Sequence, residues 1–74
     1  MEFRYKGFDV SVEKRSDGLF RWYAYSDDVT LGDREGGDLG TYKYAKYRIK
    51  KWIDEYLQDP QAFKRRHPEL VHEW

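Results

Sequence analysis

A glycine-rich stretch at residues 26–40 holds the densest group of carboxylates in the 74-residue chain. Carboxylate oxygens are the ligands that Ca²⁺ prefers, and glycines permit the sharp turns of a calcium loop. The acids are Asp27, Asp28, Asp33, Glu35 and Asp38. An EF-hand alternates its ligands along the loop and closes it with a glutamate, and no register of this stretch has that spacing. The sequence therefore predicts a solvated loop and no metal site.

Two histidines near the C-terminal end are the other candidate metal ligands. His67 and His72 are five positions apart, so on a helix their rings would point about 140° away from each other. The histidine pair of a helical zinc site is four positions apart, and Pro68 would interrupt a helix between these two. We therefore expect surface histidines, with no metal and no cofactor.

Residues for nucleophilic catalysis are equally sparse. The chain has no cysteine, and its serines, Ser11, Ser16 and Ser26, lie in strand or turn contexts without the glycine elbow that exposes a catalytic serine. The stretch "GDREGGDLG" has the glycines of a phosphate-binding loop but no lysine in the required place. We expect a protein that is not an enzyme.

The stretch "TYKYAKYRIKKW", residues 41–52, combines tyrosines with lysines and is the strongest candidate for a binding surface. On a helix, part of it would face solvent, and we expect the contact residues to be Lys43, Tyr44, Tyr47, Lys50 and Lys51. Tyrosines suit protein interfaces, while lysines beside aromatic rings also suit single-stranded nucleic acid or phosphate. A solvated helix whose lysines pair with acids elsewhere in the chain is the plain alternative.

A second basic cluster lies at Lys64, Arg65 and Arg66. It would extend the same patch if a short second helix folds back beside the first. It could equally serve only to complement the C-terminal end of its own helix. The charge balance is −3 over residues 1–40 and +5 over residues 41–67, which predicts a molecule with an acidic half and a basic half.

A long helix must carry the first cluster, and the periodicity predicts it at residues 42–58. Its apolar stripe consists of Tyr42, Ala45, Ile49, Trp52, Ile53 and Tyr56. Thr41 is the expected N-cap. Asp59 and Pro60 are expected to end this helix and begin a shorter one that reaches Arg66.

Alternating apolar residues predict an antiparallel sheet under that helix. We expect a strand at residues 7–14 with a short lead-in, a bulge or bend at Gly7, a turn at Asp17-Gly18 and a second strand in "LFRWYAYS". A third strand is expected at Val29–Leu31, or else at residues 39–42. The outer face of the second strand would present Arg21, Tyr23 and Tyr25, an alternative binding surface.

The predicted fold class is therefore α+β, in the order β-β-β-α. A small antiparallel sheet of two to three strands would pack on one long helix, followed by a short C-terminal helix or tail. Residues 1–74 would form a single small domain, with residues 68–74 as a flexible or docked tail. The chain has no apolar run typical of a signal peptide or membrane span, so we expect a cytoplasmic protein with no membrane association.

The strand order over residues 7–56, with "FRWYAYS" as a middle strand and "LGTYKYAKYRIKKWID" leading into the helix, loosely resembles two families. These are the small three-stranded DNA-binding domains of plant AP2 factors and the N-terminal arms of phage-type integrases. The resemblance implies that the exposed sheet face lies in a DNA groove, where those families carry arginine and tryptophan. The face here would instead hold Asp9, Ser11, Glu13, Arg21, Tyr23 and Tyr25, so it departs on the binding residues and shares only topology and an "LGT" turn.

We expect a small non-catalytic binding or adaptor module that contacts a protein or peptide through the Tyr/Lys helix face. Nucleic-acid binding is the first alternative, and the zero net charge disfavours it. The second alternative is a self-associating structural protein, such as a homodimer, with an exposed edge strand and the tail residues Leu70 and Trp74 as its contact.

Overall fold

Five strands follow one another along the chain and across one antiparallel sheet in the computed structural model, which describes residues 1–73. The strands are β1 (Glu2–Tyr5), β2 (Phe8–Lys14), β3 (Phe20–Tyr25), β4 (Val29–Gly37) and β5 (Val71–Glu73). Between β4 and β5 come helix α1 (Tyr42–Gln58), helix α2 (Pro60–Arg66) and a 3₁₀ turn (Pro68–Leu70). The α+β class holds, and both helices lie in the same segment of the chain.

The prediction of a two- to three-stranded sheet on one long helix is wrong, because the sheet has five strands and the helical layer has two short helices, the longer of 17 residues. The first error lies before Gly7, where the sequence predicts only a short lead-in and then a bulge or bend at the glycine. Lys6 and Gly7 have φ angles of 47° and 86° and form a two-residue hairpin turn, so the bend is confirmed and the bulge is wrong. The apolar residues change phase there because the chain reverses, which makes residues 2–5 a separate strand.

The second error concerns the acidic stretch. The predicted third strand at Val29–Leu31 exists, but it continues to Gly37, and the alternative at residues 39–42 is wrong. The Asp33 carboxylate accepts hydrogen bonds from the backbone N–H groups of Glu35 and Gly36, at 3.1 and 3.0 Å. Together with a φ of 88° at Gly36, this turn lets β4 bulge and then resume pairing with Phe20.

The third difference is a strand in the tail, which the sequence predicts only as flexible or docked. Residues 71–73 pair with β4, with Val71 opposite Leu31 and His72 opposite Thr30. Leu70 docks in the core and is 6% exposed, while Trp74 lies outside the described residues. A strand of three residues is too short for an alternating pattern to reveal it.

The helix bounds agree with the prediction. The Thr41 hydroxyl accepts a hydrogen bond from the Tyr44 N–H at 3.1 Å and caps α1. Asp59 ends α1 with its backbone N–H, which donates to the Glu55 carbonyl, and begins α2 with its side chain, which accepts from the Ala62 N–H. One residue therefore both ends α1 and caps α2.

The core lies between the inner face of the sheet and the two helices. Its buried side chains come from β2, β3, β4, both helices and the 3₁₀ turn, and the largest are Trp22, Phe20, Phe63, Leu31, Ile49, Ile53 and Val12. The Trp22 and Trp52 rings stack at 5.2 Å with an angle of 4° between their planes, which joins β3 to α1. Tyr42, predicted as a core residue, is 40% exposed. Its ring lies 5.1 Å from that of Phe20 and perpendicular to it, and its hydroxyl accepts a hydrogen bond from the Lys14 N–H.

Within residues 1–73, neither helix has the length and apolarity needed to cross a membrane.

Candidate binding surfaces

Two tyrosines of α1 form an exposed pair. Tyr44 and Tyr47 are 49% and 54% exposed, and their rings stack at 6.1 Å with an angle of 30°. Burying aromatic rings against a partner gains area at a small entropic cost, since each tyrosine has two side-chain torsions to fix. This pair therefore offers apolar contact area that the fold itself leaves uncovered.

The helix geometry directs this pair away from the sheet. Tyr47 lies two residues from both Ala45 and Ile49, which are buried, so it points about 160° away from each of them around the helix axis. The Lys51 ammonium lies 5.4 Å from the centre of the Tyr47 ring, and Lys43 is exposed beside the pair. We call Lys43, Tyr44, Tyr47 and Lys51 the tyrosine ridge.

Lys50 belongs to a different part of the surface than the ridge. Its ammonium lies 5.2 Å from the centre of the Tyr5 ring and 6.0 Å from that of Phe3. Lys46 lies 5.0 Å from the Phe3 ring. These two lysines cover the aromatic residues of β1, and cation–π contacts of this kind hold their side chains against the sheet edge.

The second basic cluster does not extend the ridge. Arg65 and Arg66 line a shallow groove with Glu55, Gln58, Asp59 and Ala62, at the C-terminal end of α1. Glu55 is eight residues beyond Tyr47, which corresponds to about 12 Å along the helix. Lys64, Arg65 and Arg66 occupy the last turn of α2, where positive charge favours the helix C-terminus.

The outer face of the sheet carries the other predicted surface. Tyr23 and Tyr25 stack at 6.0 Å with an angle of 25°, and Tyr25 is 44% exposed. The Arg21 Nε atom is buried without a hydrogen-bond partner. These three residues line a groove with Glu2 of β1 and with Ser11 and Glu13 of β2. The carboxylates give this face a mixed charge.

An ion pair between the turn that joins β1 to β2 and helix α1 was not predicted from the sequence. The Lys6 ammonium lies 2.7 Å from an Asp54 carboxylate oxygen, and the Tyr5 hydroxyl donates to both oxygens at 3.0 and 3.1 Å. The hydrogen bond from Lys6 holds the pKa of the Asp54 carboxyl below its usual value, and it raises the pKa of Lys6. Residues 48 positions apart offer no periodic signal for such a contact.

The histidines occupy separate places. The two ring nitrogens of His67 lie 3.9 Å from carboxylate oxygens of Glu55 and Glu69, and the ring packs at 5.0 Å on Phe63. His72 lies on the sheet opposite Thr30. In the part of the chain that the structure describes, no three His, Asp or Glu side chains come together as a metal site would require.

Comparisons of the chain with protein-family models, curated proteins and solved structures found no match.

Proposed function

We propose that this protein is a small non-catalytic binding module that contacts an acidic protein or peptide surface through the tyrosine ridge. The observation that carries the proposal is the stacked, half-exposed pair of Tyr44 and Tyr47. Lys43 and Lys51 flank the pair and would meet carboxylates at the rim of the contact. As the sequence predicts, we place the module in the cytoplasm.

A protein partner suits the ridge better than nucleic acid. A sheet that binds in a DNA groove needs positive charge on its exposed face. The outer sheet face of this protein instead combines Arg21 with Glu2 and Glu13. Nucleic-acid binding draws most of its affinity from phosphate neutralisation, and the ridge has two lysines near the tyrosines while the chain as a whole has no net charge. Two charges give a small electrostatic contribution, so ring burial would supply most of the affinity.

A random peptide library displayed on phage and selected on the 74-residue chain tests the proposal. We expect the selected peptides to pair Asp or Glu with an apolar residue. Replacing Tyr44 and Tyr47 together by Ala should weaken their binding about tenfold or more, since each ring carries contact area of its own. The matched Tyr44→Phe, Tyr47→Phe variant keeps the rings and should retain most of the affinity.

Peptides that bind the double alanine variant as well as the wild-type chain would contradict the proposal. A labelled single-stranded oligothymidine at two salt concentrations tests the nucleic-acid alternative. Binding that falls steeply with added salt would favour that alternative. For a single strand, each tenfold rise in salt concentration lowers log affinity by roughly 0.7 for every phosphate that the protein neutralises.

A further inference from the structure

The outer edge of β1 carries unused backbone hydrogen-bonding groups. Met1 and Val12 exchange both of their backbone hydrogen bonds, each at 2.8 Å. In an antiparallel ladder such pairs alternate with pairs whose N–H and C=O groups point away from each other. Phe3 and Tyr5 therefore bond to β2, and the backbone groups of Glu2 and Arg4 point outward.

Among residues 1–73, no strand lies beside β1 on that outer side, since β1 and β5 are the two ends of the sheet. An edge with outward donors and acceptors is a template for another strand. The side chains at the edge then decide which strand fits. Glu2 and Arg4 have opposite charges and lie on the same face of β1, because they are two residues apart.

We infer that the strand that completes this edge is β1 of a second copy of the chain, paired antiparallel about a twofold axis at Phe3. In this register Glu2 lies opposite Arg4 of the second copy, and Arg4 opposite its Glu2. Both pairs place outward backbone groups face to face, which gives four backbone hydrogen bonds. Both pairs also join opposite charges, which stabilises a cross-strand contact.

The neighbouring registers are disfavoured by the same charges. A shift of the second copy by two residues in one direction places Glu2 opposite Glu2, and a shift in the other direction places Arg4 opposite Arg4. Like charges directly across a pair of strands are destabilising. A shift by one residue would place the outward backbone N–H and C=O groups of one copy opposite residues of the other copy whose backbone groups already bond to β2. The edge is therefore self-complementary in one register.

The inner face of β1 supplies apolar area to the same contact. Met1 is 44% exposed, and Phe3 and Tyr5 are half-buried. At the twofold axis the two Phe3 residues form a non-hydrogen-bonded pair, in which side chains approach most closely. Lys46 and Lys50 lie over these rings. They would meet Lys46 and Lys50 of the second copy across the seam, which is the line of contact between the two β1 strands. Their repulsion makes the dimer weak, and we expect Lys46→Gln to tighten it.

The pairing has a consequence for the tyrosine ridge. A twofold axis that joins two antiparallel edge strands runs perpendicular to the sheet, so both helical layers lie on the same side. The two ridges would then face in the same direction, and a partner with two sites would bind with avidity. The inference itself is independent of the proposed function, since the seam uses none of the four ridge residues.

Charge reversal across the seam tests the inference. Glu2→Arg places like positive charges opposite each other, and Arg4→Glu places like negative charges, so each variant should dimerise about tenfold more weakly than the wild type. An equimolar mixture of the two variants restores both opposite-charge pairs and should dimerise like the wild type. Sedimentation velocity from about 10 μM to 1 mM covers the range of a weak dimer.

Glu2→Arg leaves the ion pair of Arg4 with Asp9, at 3.2 Å, intact, and thermal unfolding checks that both variants fold. Glu13→Arg, on β2 away from the edge, is the matched control and should dimerise like the wild type. Amide hydrogen exchange adds a residue-resolved readout, because protection of the Glu2 and Arg4 amides should rise with protein concentration while that of Phe3 stays constant. A wild-type chain that stays monomeric at about 1 mM, or a dimer that both reversals leave unchanged, would overturn the inference.

Discussion

Gly32→Ala should destabilise the fold strongly, because β4 passes too close to β3 at this position to admit a side chain. A Cβ on Gly32 would lie 2.6 Å from the Trp22 carbonyl oxygen and 2.9 Å from the Tyr23 Cδ1 atom. Real Cβ contacts essentially never fall below 3.0 Å, so the Cβ and the backbone oxygen would have to separate by at least 0.4 Å. Rotating a side chain cannot relieve a clash with a backbone oxygen.

The expected cost is about 2–3 kcal/mol, in the range of overpacked cores. A domain of this length has a total stability of about 4–11 kcal/mol, so the melting temperature should fall by roughly 10–20 °C. Urea and thermal unfolding followed by circular dichroism would measure both quantities.

Gly37→Ala is the matched control on the same strand. The nearest atom to a Cβ there is an Asp33 carboxylate oxygen at 3.5 Å, which is an ordinary contact. We expect its free energy of unfolding to stay within about 0.5 kcal/mol of the wild type. If the two variants lost the same stability, the close approach of β4 to β3 at Gly32 would be refuted.

Three further predictions concern contacts that join the helices to the sheet and to each other. Asp54→Asn should lower the melting temperature at pH 7 and much less at about pH 2. The pKa of Asp54 is lower in the folded state than its unfolded value of about 3.9, so the stability that the carboxylate contributes is present above that pH and is lost as the pH falls. An equal loss at both pH values would exclude the ion pair with Lys6 as the cause. Asp59→Ala should cost about 1 kcal/mol in urea unfolding through loss of the α2 cap, and no loss would show that the cap is not formed. Leu70→Ala should cost about 2–4 kcal/mol, whereas the exposed Leu57→Ala should cost less than about 0.5 kcal/mol; similar losses would mean that the tail does not dock.

The helical half of the fold could be predicted because its signals are local. Ala45, Ile49 and Ile53 recur at helical spacing and are all buried, and Thr41 caps the helix that follows it. Asp59 and Pro60 mark the break between the helices. Each signal operates within a few residues of the chain, where sequence patterns are most informative.

The sheet was underestimated because its extra strands depend on distant partners. β1 and β5 are four and three residues long and gain stability only by pairing with β2 and β4. The acidic composition of β4 is typical of a loop, but an Asx turn at Asp33 and a left-handed Gly36 keep its later residues in the ladder. Tertiary pairing here outweighed local propensity.

For the candidate surface, helical periodicity could place Tyr44 and Tyr47 on the exposed side of α1. The direction of a side chain around the helix axis follows from its position in the sequence alone. It could not place Lys50, whose side chain lies over Tyr5 of β1. Nor could it place Arg65 relative to Tyr47, because the two residues lie on different helices and their separation depends on how α2 packs against α1.

The tyrosine ridge is proposed as the working surface of the molecule. Nitrogen-15 chemical shift mapping of the 74-residue chain with a peptide selected from the phage library distinguishes the ridge from the outer sheet face. The largest shifts should cluster at residues 43–51 of α1 and disappear when Tyr44 and Tyr47 are both replaced by Ala. Shifts centred instead on Arg21, Tyr23 and Tyr25, and unchanged in that variant, would show that the ridge is not the binding surface.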